Sequence, residues 1–210
     1  DTLPTLTGLN FDATDAFIVE PNAGNDSICY WIKDSLVYQM DTLQLKMDYL
    51  YTDSLNQLVP KTDTIYLANK LTRAQKEKLA KKEAEEKEKE RKKKERKGEK
   101  VGPEPTPFLN MKVDAPSTFD INKNIVLSFE EPVVRMDTSA IHVNVKVDTL
   151  WVKTPFLLVA DSVVPRQYEI LASWEPEKEY QLQIDSAAIT GLYGLQTNKV
   201  EQTLKVKKLD

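Results

Sequence analysis

Between Arg73 and Lys97 the chain contains no proline, no glycine and no β-branched residue, and after Ala84 no apolar residue at all. Residues of this kind are strong helix formers. Five of the glutamates there have a lysine four positions later: Glu77–Lys81, Glu83–Lys87, Glu85–Lys89, Glu88–Lys92 and Glu90–Lys94. Each pair in that orientation supports the helix by about 0.2–0.5 kcal/mol. A helix without an apolar stripe has no face to bury, so this segment cannot belong to a core. It therefore divides the 210 residues into two bodies. Residues 71–100 read as a single charged helix, stopped near Gly98, with a Pro-rich hinge at 101–107 carrying Pro103, Pro105 and Pro107.

Charge follows the same division. Residues 71–100 hold fourteen Lys or Arg against eight Glu, a net of +6, and the rest of the chain carries −10. The basic run is interleaved with glutamate and has no aromatic residue, so no nucleic-acid partner is expected. Opposite charges would allow the helix to dock on the acidic bodies, and a solvated spacer is the simpler expectation.

The flanks read as strands. In Thr42–Tyr49, Leu43, Leu45, Met47 and Tyr49 alternate with polar residues and share one face. Ala16–Val19, Ser27–Ile32 and Asp63–Leu67 are further strand runs, and Pro21–Asn25 is turn chemistry. Residues 1–70 are thus a β-rich domain, short for a sandwich and expected to be incomplete or small. In 108–210 the expected strands are Phe108–Val113, Asn124–Phe129, Ala140–Val147, Thr149–Val152, Phe156–Ala160, Gln167–Ala172, Glu179–Asp185 and Val200–Val206. Eight short strands with turns between them predict a β-sandwich. The fold class expected overall is mainly β, two β-rich bodies joined by a long charged α-helix. A long insertion within one shared-core β-domain is the alternative.

Three stretches resemble bacterial Ig-like domains. They are Asn122–Val133, with its Phe-Glu-Glu-Pro-Val ending, Trp174–Leu182, with Pro, a turn and then Tyr180, and Ala187–Gly194, with its glycine-containing loop. The resemblance covers most of 108–210 and does not extend to 1–70. It implies an Ig-like β-sandwich from an exported protein, periplasmic or at the cell surface. It also implies a lipid anchor outside this segment as the only membrane contact, and a spacer or binding role without enzymatic activity. Tyr180 is expected to be a tyrosine-corner residue whose hydroxyl pins a loop.

One tripeptide, Asp then Ser or Thr then an aliphatic residue, occurs nine times, beginning at Asp1, Asp26, Asp34, Asp41, Asp53, Asp63, Asp148, Asp161 and Asp185. Roughly one copy is expected by chance. Turn chemistry accounts for some of the excess, because Asp and Ser/Thr bond nearby backbone and a following aliphatic residue starts a strand. The pattern also resembles the acceptor sequence of the general O-glycosylation system of Bacteroides-like bacteria. That resemblance makes Ser27, Ser35, Thr42, Ser54, Thr64, Thr149, Ser162 and Ser186 the candidate O-glycosylation sites, with some hydroxyls expected to be buried. The copies from Asp34 to Asp63 are expected to mark successive turns.

No catalytic constellation accompanies these copies. His142 is the only histidine, on the polar face of a strand, and Cys29 the only cysteine. No Gly-rich phosphate loop, nucleophile elbow or metal-ligand spacing occurs, so no catalytic residue, metal or cofactor is expected. The chain opens on Asp1 rather than Met and is expected to be a mature or trimmed piece. The resulting expectation is a non-enzymatic structural or interaction module of a larger exported protein, contacting adjacent domains of its own chain and an unidentified protein or glycan. The alternative is a carbohydrate-binding module with Trp151 and Trp174 as stacking residues, Trp31 being expected in the core.

Overall fold

The computed structural model describes residues 3–71, 73–96 and 107–208. The tripeptide at Asp1, the helix stop at Gly98 and most of the hinge lie outside the described residues. The protein is mainly β, with β-rich regions on either side of a long helix. Two compact units divide at Pro105 and Thr106.

The first unit runs β1 (Thr5–Gly8), β2 (Phe17–Pro21), β3 (Ile28–Ile32), a short helix α1 (Ser35–Tyr38), β4 (Thr42–Thr52), β5 (Leu58–Ala68) and the long helix α2 (Arg73–Arg96). β1, β4 and β5 form an antiparallel sheet in that order, and β2 pairs with β3 as a hairpin. The alternation in β4 sends Leu43 and Leu45 into buried positions and leaves Met47 and Tyr49 half-buried. Val37 of α1 closes over Leu43, and with Ala16 they form a small core edged by Phe11, Phe17, Ile32 and Met40. Beyond Tyr49 the β4–β5 ribbon runs past this core, and Leu50, Tyr51 and Leu58 are exposed. Trp31 is not a core residue. It is half-buried on β3, and its indole N–H donates to Glu20 Oε2 at 2.8 Å.

Helix α2 has 24 residues, and those whose side chains are described are exposed. Glu88 and Lys92 are paired at 2.7 Å, in the favourable orientation, and the ammonium holds the Glu88 carboxyl below its usual range. Among the described residues no helix is long and apolar enough to cross a membrane.

The second unit comprises β6 (Met111–Asp114), β7 (Thr118–Phe119), β8 (Ile125–Phe129), β9 (Val133–Met136), β10 (Ile141–Val147), β11 (Leu150–Thr154), β12 (Phe156–Ala160), β13 (Gln167–Ala172), β14 (Glu179–Ile184), β15 (Ile189–Gly191) and β16 (Val200–Val206). One sheet has the order β11-β10-β14-β16-β7, the other β12-β13-β8-β6, and β15 pairs with β9 separately. All pairings are antiparallel except β16 with β7. Pro155 alone separates β11 from β12, so the chain changes sheets at a residue that has no N–H to offer either ladder. Alternate residues of both sheets meet in one core: Val143, Leu182 and Leu204 from the first, Leu127 and Ile170 from the second. Each unit thus has its own cluster of buried residues.

Three short strands, β7, β9 and β15, were not expected, because two to four residues carry no readable period. The first expected strand begins at Met111 rather than Phe108. Leu109 is nonetheless buried, and its N–H donates to the Gln196 carbonyl at 2.8 Å.

Candidate functional site: the Asp-Ser/Thr copies and the aromatic residues

Seven of the eight described tripeptides lie where a strand or helix begins or ends, and at Asp34, Asp53 and Asp161 the carboxylate accepts from the backbone that follows. Asp34 caps α1, its carboxylate accepting from the Leu36 N–H at 2.7 Å. At the tip of the β4–β5 hairpin, Asp53 Oδ1 accepts from Leu55 N at 2.9 Å and Gln57 N at 2.8 Å. Between β12 and β13, Asp161 Oδ1 accepts from Val163 N at 2.7 Å and Val164 N at 2.9 Å. Asp148 takes the left-handed position, φ 54°, in the two-residue turn joining β10 to β11, a conformation aspartate tolerates better than most residues. Asp26 lies in the β2–β3 turn, bonded through Oδ1 to Asn22 Nδ2 at 2.5 Å. Asp41 precedes β4, and its carbonyl accepts from Asn69 N at 2.8 Å. Asp185 follows β14, its Oδ2 3.5 Å from His142 Nε2. His142 is correspondingly half-buried rather than solvated.

Asp63 departs from this rule and corrects the expectation of successive turns. It sits in the middle of β5, where its carboxylate accepts from the Tyr49 hydroxyl at 2.6 Å and pairs with Lys61 at 3.2 Å. The Lys61 ammonium lies 5.7 Å from the Tyr49 ring centroid and 5.8 Å from that of Tyr51. No sequence motif marks this cluster, although Tyr49 and Tyr51, like Lys61 and Asp63, share a strand face by their two-residue spacing.

All eight candidate hydroxyl residues, Ser27, Ser35, Thr42, Ser54, Thr64, Thr149, Ser162 and Ser186, are exposed, which corrects the expectation that some are buried. Among the described residues none of the eight hydroxyls takes part in a hydrogen bond within the protein. Turn chemistry uses the carboxylate of the first residue and the N–H of the third, and it leaves the middle residue free. Asp12 makes the same bond to Thr14 N, at 2.8 Å, across an alanine. At Asp34, Asp53 and Asp161 local structure therefore explains the aspartate and leaves the hydroxyl after it unexplained.

The turn bonds also set acidities. The N–H groups of Val164 and Val163 hold the Asp161 carboxyl below the usual aspartate range. A depressed folded-state pKa stabilises the fold above the unfolded value of about 3.9, and that contribution is lost as pH falls through the folded value. Carboxyl-detected NMR is expected to place the Asp161 midpoint below the ordinary aspartate range. A midpoint at or above that range would show that the turn does not form in solution.

The structure separates the two candidate stacking residues. Trp174 is a core residue, 6% exposed, with edge-to-face contacts to Phe119 at 5.1 Å and Tyr180 at 4.9 Å. A ring so enclosed cannot meet a sugar, and the candidate assignment is corrected accordingly. Trp151, on the edge strand β11, is 39% exposed with Lys146 Nζ 5.9 Å from its centroid. Tyr180 forms the tyrosine corner, its hydroxyl donating to the Ser173 carbonyl at 3.2 Å and accepting from Glu175 N at 2.8 Å. Those two groups flank Trp174, so the hydroxyl fixes the backbone that carries the indole. Among the described residues no group of three His, Cys, Asp or Glu side chains could hold a metal ion.

No protein-family model matches this chain, and no curated protein matches it.

Proposed function

We propose that this chain is a non-enzymatic structural or interaction module of an exported bacterial surface protein, carrying O-linked sugars at its Asp-Ser/Thr-aliphatic copies. In this reading the second unit is an Ig-like domain, and the charged helix is a spacer. The observation that carries it is the exposure of all eight described hydroxyls, each without an internal hydrogen bond. Turns and strand ends tolerate a bulky polar substituent because no packing has to yield. The tyrosine corner and the two-sheet core agree with the resemblance of 108–210 to Ig-like domains. At Asp34, Asp53 and Asp161 the aspartate is part of the presentation, because its carboxylate is committed to the backbone.

The test is intact-mass and peptide mass spectrometry of protein isolated from its own cells. Hexose-type mass additions are expected on peptides containing Ser35, Ser54 or Ser162. Replacing the preceding aspartate by alanine is expected to remove the addition from that peptide alone. Unmodified peptides at all eight positions would overturn the glycan reading.

A further inference from the structure

The outer edge of β5 pairs with nothing among the described residues, since β5 ends the sheet order β1-β4-β5. Its pairing with β4 is unbroken from Thr42↔Ala68 to Thr52↔Leu58. Just beyond the two ends of the ladder, Asn69 N donates to the Asp41 carbonyl and Asp53 N to the Gln57 carbonyl. Odd-numbered residues of β5 therefore exchange hydrogen bonds with β4, and even-numbered ones point their backbone groups outward. Pro60 is even-numbered, so its missing N–H falls on the open side and costs the β4 ladder nothing.

The side chains along that open edge are self-complementary, while Pro60, opposite Thr64 in the register centred on Thr62, leaves one backbone bond per copy unmade. With two β5 strands antiparallel and Thr62 opposite Thr62, Lys61 of each copy faces Asp63 of the other. In the same register Val59 faces Ile65, and Leu58 faces Tyr66. Leu58 and Tyr66 are 68% and 71% exposed in the single chain. Every charge from 58 to 66 thus meets its opposite and every large apolar side chain another, favourable cross-strand neighbours on either face. Centring on Ile65 instead would avoid Pro60 but place Asp63 opposite Leu67.

We infer that β5 is a homodimerisation edge, joining two copies of this chain through a two-fold strand pair centred on Thr62 into a continuous six-stranded sheet. An exposed edge strand presents unpaired backbone groups that template pairing, and a two-fold contact closes after two copies. The reciprocal Lys61–Asp63 pairs fix the register, because a slip of two residues breaks both.

The test uses the full unmodified chain in sedimentation velocity across a concentration series. The 24.0 kDa protomer is expected to convert to a dimer as concentration rises. Lys61→Asp alone and Asp63→Lys alone each place like charges opposite one another, and each is expected to stay monomeric where the wild type is dimeric. Mixed in equal amounts they are expected to restore the dimer, since one copy then offers two acids to two lysines of the other. Thr62→Pro, which removes an outward N–H and no bond to β4, is expected to stay monomeric with an unchanged circular dichroism spectrum. A wild type that remains monomeric up to about millimolar concentration, as it would if the edge served a different protein, overturns the inference. Single variants that dimerise like the wild type overturn it too.

Discussion

Trp174→Ala is expected to destabilise the second unit by about 3–5 kcal/mol, the range for truncating a large buried aromatic. The side chain is 6% exposed and fills the space between Phe119 and Tyr180. Removing it opens a cavity and strips both edge-to-face contacts. Trp174→Phe is expected to cost much less. The indole Nε1–H is buried without a hydrogen-bond partner, and an unmet buried donor costs about 1–3 kcal/mol. Phenylalanine keeps an aromatic ring there and discards that donor, which offsets part of the lost packing. Chemical denaturation of the full chain, followed through the transition of the second unit, checks both values. A cost below about 0.5 kcal/mol for the alanine variant is the behaviour of a surface residue, and it would return Trp174 to consideration as a sugar-stacking platform.

The sequence distinguishes residues by period and composition, which explains why some elements were legible and others were not. Helix α2 could be read because a charged run without glycine, proline or β-branched residues admits little else. β12, β13 and β16 were expected with their observed bounds, since runs of five to seven residues bounded by turn signals fix both ends. β7, β9 and β15 are defined by their partners, β7 by β16 and β9 and β15 by each other. Trp174 as a stacking candidate in the alternative reading and Trp31 as a core residue were both misplaced, for a related reason. Trp174 follows β13 in a connection, where no period says which way a side chain points, and only the Tyr180 hydroxyl clamp turns it inward. Trp31 sits in a dense apolar run that reads as central, yet β3 belongs to a two-stranded hairpin with little to bury it.

Of the candidate acceptor positions, the residue types were readable and their exposure was not. Thr64 shows why. Its tripeptide matches the others, but it stands mid-strand on an open edge rather than at a turn. In the proposed dimer it faces Pro60 of the second copy, so a sugar on Thr64 and strand pairing would compete for one edge.

Gly191→Ala is expected to cost the second unit about 1–3 kcal/mol through overpacking. Gly191 lies in β15, and a Cβ there would overlap the Glu131 carboxylate, with Glu131 Cδ at 2.7 Å and Leu109 Cδ1 at 2.8 Å. Both neighbours are buried, Glu131 at 8% and Leu109 at 2% exposure. Glu131 Oε1 accepts from Tyr193 N at 3.4 Å, so displacing the carboxylate also disturbs that bond. Backbone strain is not the cause, because Gly194, and not Gly191, holds the left-handed φ of 80° and has open space around it. The two glycines therefore separate two mechanisms. At Gly194 an alanine meets only the conformational penalty, and truncating a neighbour cannot relieve it. At Gly191 the penalty depends on what lies opposite, so Glu131→Ala should make room for the added methyl. The double variant is expected to be more stable than the sum of the single effects by about 0.5–3 kcal/mol, the coupling found for residues in contact. Additive costs within about 0.5 kcal/mol would show that Glu131 does not pack beneath Gly191 in solution.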